Sequence, residues 1–284
     1  MFALMKLMPE KQWIKKIVEL EKASKKSSKK KVEKALVEAV KKNIPERKFG
    51  VLLSGGVDSC LIALLCQQAG ANFVCYTVGM EYSPDIAWAK AFAKRFKMHI
   101  KVREFKTLDE VEKQFRKAKK ALKHVDILSV GVGAVLLSAI ELGKKDKVKD
   151  FFTGLGSEEI FAGYHHHEET DDPHAECWKR LKSCWKRDLR RDYAIANATK
   201  VNLLAPFLDE NLIKEAMGIS IKRKISKKEK KIILREIAQD LGLPKKYAWR
   251  SKKAAQYGSW FDKAMMKLAR SKGYEFKQTY LDKL

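Results

Sequence analysis

The residues most able to do chemistry gather at Ser54-Gly55-Gly56-Val57-Asp58-Ser59. Glycines at such a join let backbone N–H groups turn outward into a shallow anion-binding nest. The apolar run before the turn reads as a strand, and the one after it as a helix. The helix brings its positive dipole end to the same place. Ser54 and Ser59 can donate hydrogen bonds to phosphate oxygens. Asp58 would repel phosphate, and makes sense if it holds Mg²⁺ that bridges phosphates. This is not the G-x-x-x-x-G-K-S/T loop, because the lysine is missing. A tight turn with Asp58 capping the helix is the plainer alternative. Strand, glycines and helix together favour the nest.

The elements that must carry this turn follow from hydrophobic periodicity. Strands are expected at "FGVLLS", "NFVCYTVG", "HIKVREF" and "DFFTG". Helices are expected over 57–69 and at "PDIAWAKAFAKRF", "LDEVEKQFRKAKKAL" and "GVGAVLLSAIELG", with "SEEIFAGY" after the last strand. This alternation predicts an open parallel α/β sheet with helices on both faces and a ligand at the carboxyl ends of the strands. Residues 1–47 read as a basic helical extension, with apolar stripes Ile14, Val18, Leu20 and Val32, Leu36, Val40. Its "ASKKSSKKK" run reads as a solvated turn, with phosphate contact as the functional alternative. Residues 48–164 form the expected ATP-binding α/β domain. After Tyr164 the strand signal disappears, so 165–284 is expected to be a helical region completing the active site.

The 284-residue chain carries a net charge of +25, a field that attracts nucleotides, nucleic acid or anionic surfaces without choosing among them. Lysine excess also fits a hot habitat. No apolar run approaches the roughly 20 residues that span a bilayer. The opening "MFALMKLMPEKQWIKK" is charged too soon for a signal peptide, so a cytoplasmic protein without membrane partners is expected. The cysteines number five, an odd count without a C-x-x-C pair. That argues against a disulfide framework and a closed zinc site, and Cys60 and Cys66 read as core thiols.

"LSGGVDS" resembles the pyrophosphate-binding loop of the N-type ATP pyrophosphatases. Three further stretches narrow the resemblance to the synthetase domain of asparagine synthetases. "FTGLGSEEIFAGY" is similar to "SGEGSDEVFGGY", "LLAPFLDENLIKEAM" to "ARVPFLDKKFLDVAM", and "KKIILREIAQDLGLPKKYAWRSKK" to "KHILRE…LP…WRQK". The matches keep their order over about 49–263. The resemblance is to the synthetase half alone: position 2 is Phe2 where the glutaminase domain has its nucleophilic cysteine. Ammonia would then be free or come from a separate subunit.

The resemblance implies a fold of the adenine-nucleotide α-hydrolase-like kind and an AMP-forming carbon–nitrogen ligase using ATP and Mg²⁺. It implies that Ser54, Gly55, Gly56, Asp58 and Ser59 hold the pyrophosphate portion of ATP, and that Leu52, Val78 and Gly154 flank the adenosine. Lys252 matches the lysine that neutralises the leaving pyrophosphate. Asp58 and Glu158 would share Mg²⁺, with Glu158 standing where the family usually has Asp. Asp209 matches a residue near the site. Three departures touch the acyl substrate: Leu155 replaces a glutamate, and Ser129 and Leu204 fall where the family has arginines. The ATP half looks intact and the aspartate half does not, so the small carboxylate substrate need not be aspartate.

Two other clusters carry chemistry-bearing side chains. "GYHHHEETDDPHAEC" holds His165, His166, His167, His174 and Cys177, and reads as a mobile polar loop rather than a metal site. Trp178 and Trp185, seven apart among cations, read as a core stripe, with an RNA-stacking surface as the alternative. The expected function is an asparagine synthetase-like enzyme that adenylates a carboxylate for attack by ammonia or an amine. A second reading moves the same chemistry to a base of tRNA. A third is a nucleotide-binding regulatory protein without turnover.

Overall fold

The computed structural model describes residues 7–122, 125–251 and 253–284. Five strands, β1 (Phe49–Leu52), β2 (Phe73–Met80), β3 (Ile100–Phe105), β4 (Asp150–Phe152) and β5 (Asn202–Leu204), form one parallel sheet. Their order is β3-β2-β1-β4-β5. Helices α1 (Glu10–Ala23) and α2 (Lys29–Lys41) precede the sheet. Then α3 (Val57–Gln68), α4 (Pro84–Arg95), α5 (Leu108–Ala121) and α6 (Ile127–Lys144) alternate with the first four strands. Because parallel strands need right-handed crossovers, the chain runs outward from β1 to β3 over α3 and α4. It returns to β4 over α5 and α6 on the opposite face. The expected doubly wound sheet is therefore present, with buried Phe49, Val51, Cys75, Phe151 and Phe152 at its centre.

Helix starts follow local capping chemistry. Thr107 and Glu110 form a reciprocal capping box on α5, and Asp126 caps α6 by accepting from the Ser129 amide. Ser129 also donates its hydroxyl to Asp126 at 2.6 Å. It is thus occupied at a helix start.

Two sequence expectations need correction. A fifth strand exists after Tyr164: Asn202–Leu204 adds to the edge beside β4. Three residues starting with a polar side chain give no period-2 signal. Second, α6 has 18 residues and a mean hydropathy of 1.7, long and apolar enough by length and composition to cross a membrane. Here Val130, Ala134 and Ile140 are fully buried, and α6 packs against β2, α5 and α9 (Arg190–Thr199).

The remaining elements fold back onto the sheet. In chain order they include the short α7 (Ser157–Ile160), α8 (Pro173–Cys184), α10 (Glu210–Met217), α11 (Ile232–Asp240), α12 (Lys245–Ala248) and α13 (Ala255–Gly258). α1 and α2 pack on α8 and α10, with Trp13 donating its indole N–H to the Leu181 carbonyl at 3.0 Å. The Lys/Ser run between them is docked by its serines. The Ser27 amide donates to the Gly218 carbonyl at 3.0 Å, and the Ser24 hydroxyl to that of Lys214 at 3.0 Å. Lys25, Lys26, Lys30 and Lys31 remain exposed.

Candidate active site

β1 and β4 are neighbours whose following segments diverge, so their carboxyl ends open a crevice at the sheet's switch point. The Ser54–Ser59 turn leaves β1 there. Gly55 has φ +72°, and a Cβ on it would lie 2.6 Å from the Trp88 Cβ. Only glycine fits both demands. Ser59 Oγ accepts from the Ser54 amide at 3.2 Å and donates to the Gly56 carbonyl at 3.2 Å, which holds the turn shut. Arg250 supports it from outside. Its Nη1 donates to the Ser54 carbonyl at 2.8 Å and its Nη2 to Asp85 at 2.9 Å, over the Trp88 ring.

The loop after β4 faces this turn closely: a Cβ on Gly154 would lie 3.1 Å from the Asp58 Cβ. Between the two loops sits the ammonium of Lys231. It donates to Asp58 Oδ1 and Oδ2 at 2.9 Å each and to Ser157 Oγ at 2.9 Å, and it pairs with Glu158 Oε1 at 2.8 Å. Burial alone would lower the Lys231 pKa, but the charges of Asp58 and Glu158 outweigh it and hold the ammonium above its ordinary value. Lys231 precedes α11 in the left-handed region, at φ 56°. It closes a turn in which the Ile232 amide donates to the Lys224 carbonyl at 2.9 Å and Ile225 bridges Lys230. At the turn's other end Lys224 is fully buried, its ammonium 3.6 Å from the Met217 sulfur. Burial pushes Lys224 down to about 8.

A cavity of about 250 Å³ runs from these loops along α6. Leu52, Ser54, Asp58, Ser59, Val78, Gly154 and Glu158 all line it, as does Leu155. Gly55 and Gly56 are buried within the turn itself. Lys252 lies outside the described residues. Asp209 serves as the N-cap of α10, accepting from the Asn211 and Leu212 amides at 3.0 Å. Leu204 is buried in β5.

The far wall carries polar groups that the sequence does not mark as cavity residues, Arg191 reading there only as one of the cations around Trp178 and Trp185. Arg191 and Asp192 of α9 line the cavity. Arg191 Nε donates to Asp192 Oδ1 at 2.7 Å, and Nη1 to Asp188 at 3.0 Å. Burial raises the Asp192 pKa against the opposing charge of Arg191. Asp188 lies in a π-helical segment, Trp185–Leu189, that links α8 to α9. Its neighbour Arg187 donates to Glu159 at 3.0 Å and Asp188 at 2.8 Å. Burial, then the charge of Asp188, push Glu159 up to about 7. Glu159, Cys184 and Asp188 are also a metal-spaced group among the described residues, but the Arg187 guanidinium already bridges its two carboxylates.

The histidine run does not converge. His165 and His166 are exposed and face Glu169, while His167 is buried and held down to about 4 by that burial. Trp178 is buried and Trp185 donates to the Met8 carbonyl at 2.7 Å, so both rings belong to the core stripe. Lys231 and Arg250 were missed although both fall inside the quoted "KKIILRE…WRSKK" stretch. Spacing gave no hint that either reaches a turn more than a hundred residues away.

A glycine turn after β1 and an acid pair shared with the loop after β4, at the switch point of a doubly wound parallel sheet, define an α/β protein of the adenine-nucleotide α-hydrolase-like fold. The chain belongs to the asparagine synthase family, whose model matches residues 31–179 and 165–276. It is 31% identical over 277 residues to "Putative asparagine synthetase (glutamine-hydrolyzing) 1" of Methanocaldococcus jannaschii, covering 84% of this chain and 51% of that protein. It is 28% identical over 256 residues to asparagine synthetase 2 (glutamine-hydrolyzing) of Lotus japonicus, covering 81% and 42%. The chain thus spans about half the length, or less, of these curated relatives. Among solved structures it is similar to the NMN synthetase of Francisella tularensis, with a TM-score of 0.46 and 12% identity over 89% of this chain and 91% of that one.

Proposed function

We propose that the chain is an ATP-dependent, AMP-forming carbon–nitrogen ligase of the asparagine synthetase type. The reading is carried by the convergence of Asp58, Ser157 and Glu158 on one buried cation at the ends of β1 and β4. In this reading Ser54, Ser59 and the Gly55–Gly56 backbone bind the pyrophosphate portion of ATP, while Leu52, Val78 and Gly154 flank the adenosine. Asp58 and Glu158 form an all-oxygen donor set that already holds an ammonium, which fits Mg²⁺. Bound there, Mg²⁺ would neutralise phosphate charge. Lys252 is assigned to the leaving pyrophosphate, as the family motif implies.

The carboxylate substrate attacks the α-phosphorus, pyrophosphate leaves, and ammonia or an amine then displaces AMP from the acyl group. That displacement needs a group to take a proton from nitrogen. Leu155 cannot do so, and Asp192, in the same cavity, supplies the carboxylate that position lacks. Arg191 beside it gives the acceptor end a cation. Apolar Leu155 argues for an acyl substrate other than aspartate itself. We further propose the division into a basic extension (1–47), an ATP-binding domain (48–164) and a completing region (165–284). Ammonia comes free or from a separate subunit, and the five free, buried thiols fit a cytoplasmic setting.

Exposed Lys25 and Lys26 in a turn anchored by its serines, with exposed Lys30 and Lys31 in the first turn of α2, favour a second reading in which a tRNA base is the adenylated group. One assay separates the two. Pyrophosphate release from Mg-ATP is followed with aspartate and other small carboxylates plus ammonia, then with tRNA, then with ATP alone. Stimulation by a carboxylate, abolished by Asp58→Ala, supports the ligase, and stimulation by tRNA alone supports the second reading. Products limited to ADP and orthophosphate overturn both. Nucleotide binding without release under every condition leaves a regulatory role.

A further inference from the structure

Lys231 occupies ground that a metal would need. Its ammonium touches both Asp58 oxygens, Ser157 Oγ and Glu158 Oε1 within 2.9 Å, and its side chain is only 5% exposed. The position is built for it. A Cβ on Gly163 would lie 1.7 Å from Glu158 Oε2 and 2.4 Å from the Lys231 Cε. The left-handed backbone at Lys231, unusual for a residue with a long side chain, is held by the closed turn from Lys224. An ammonium and a divalent cation cannot share the same oxygens, because their repulsion at such separations is large in a partly dry site.

We propose that Lys231 is a nucleotide-binding residue that changes partners: it holds Asp58 and Glu158 as in this structure and moves to phosphate oxygens when metal and nucleotide enter together. This deepens the proposed function and rests on its reading of Asp58 and Glu158 as the metal pair. The charge logic is simple. With Lys231 in place the two acids carry one net negative charge between them, and without it two. A bare divalent cation would strand a buried ammonium without a counter-charge, leaving it Ser157 Oγ alone, which is strongly unfavourable. A metal bound to a triphosphate brings acceptors of its own. Metal and nucleotide should therefore strengthen each other's binding by the same factor.

The test uses Mn²⁺, followed by electron paramagnetic resonance, and the non-cleavable α,β-methylene analogue of ATP. Wild type is expected to bind Mn²⁺ weakly alone and about 10- to 100-fold more tightly with the analogue. Lys231→Met is expected to bind Mn²⁺ alone at least about tenfold more tightly than wild type, to bind the analogue more weakly, and to lose most of the coupling. Lys231→Gln, which can still donate to Asp58, serves if the methionine variant does not fold. Equal Mn²⁺ affinity of wild type with and without the analogue overturns the proposal without any variant. So does a folded Lys231 variant that binds bare Mn²⁺ no better than wild type. Asp58→Asn tests the underlying reading separately. If it leaves analogue-dependent Mn²⁺ binding intact, the metal is not on the acid pair, and the site assignment fails whatever Lys231 does.

Discussion

Arg250 and Ser54 lie 196 residues apart in the chain, yet the guanidinium Nη1 donates to the Ser54 carbonyl at 2.8 Å. The same side chain holds Asp85 through Nη2, with both charged groups almost fully buried. One arginine therefore ties the end of β1 to the start of α4. Arg250→Ala is expected to cost about 3–5 kcal/mol of stability, since it removes one partner of a buried pair. Arg250→Lys keeps a charge but not the two-pronged geometry. It should fold and raise the KM for ATP with a smaller effect on stability, which urea unfolding and steady-state kinetics would show.

Asp192→Asn separates the two halves of the proposed reaction. Isotope exchange between pyrophosphate and ATP, which reports adenylation, should stay within about threefold of wild type, while amide formation falls about 100-fold or more. The base must be ionised to accept a proton. Burial raises its pKa, so wild-type amide formation should climb with pH through a range above that of an ordinary carboxylate. The asparagine variant should lack that rise. A parallel loss in both half-reactions would mean that Asp192 only holds Arg191.

Gly163→Ala attacks the crowded point behind the acid pair. Its new methyl group must push Glu158 or Lys231 aside. Metal-dependent nucleotide affinity should drop about 10- to 100-fold, with a stability loss of about 1–3 kcal/mol. Titration calorimetry and thermal melting measure the two effects independently.

Lys224→Met should stabilise the protein. The native ammonium is buried against a thioether, and its pKa falls from an ordinary lysine value to about 8. Below pH 8 folded and unfolded chains both carry the charge, and the full burial cost is present. As pH rises beyond 8 the folded chain sheds the proton and the cost disappears. The variant's advantage should thus be on the order of 3 kcal/mol at pH 7 and fade between pH 8 and the ordinary lysine range. Melting curves across that range provide the check.

Much of this was legible in the residues alone. The strand–helix units of β1, β2 and β3 were readable because each has a clean apolar period and a turn signal, and β4 because two phenylalanines run into a glycine turn. The Ser54–Ser59 nest was readable because glycine and hydroxyl chemistry is local. β5 was not, since Asn202–Leu204 is strand only by virtue of its neighbour β4. Lys231, Arg250, Arg191 and Asp192 escaped for a related reason. Their roles depend on where the fold carries them, and one charged residue among 60 Lys and Arg and 35 Asp and Glu has no mark of where it will point. The departures at Leu155, Ser129 and Leu204 were legible as residue types, but what else lines the cavity was not. Arg191 and Asp192 of α9 add polar groups to that cavity, from a helix that lies outside the quoted motifs.

The turn between Lys224 and Lys231 is pinned at both ends and bare at its tip, where Lys227 and Lys228 face water. That makes it a natural point of attack for trypsin. A cut there would sever the tether between an anchor in the protein interior and the side chain that fills the crevice. The speed of clipping, followed on a gel with and without ligand, then becomes a gauge of whether that crevice is filled.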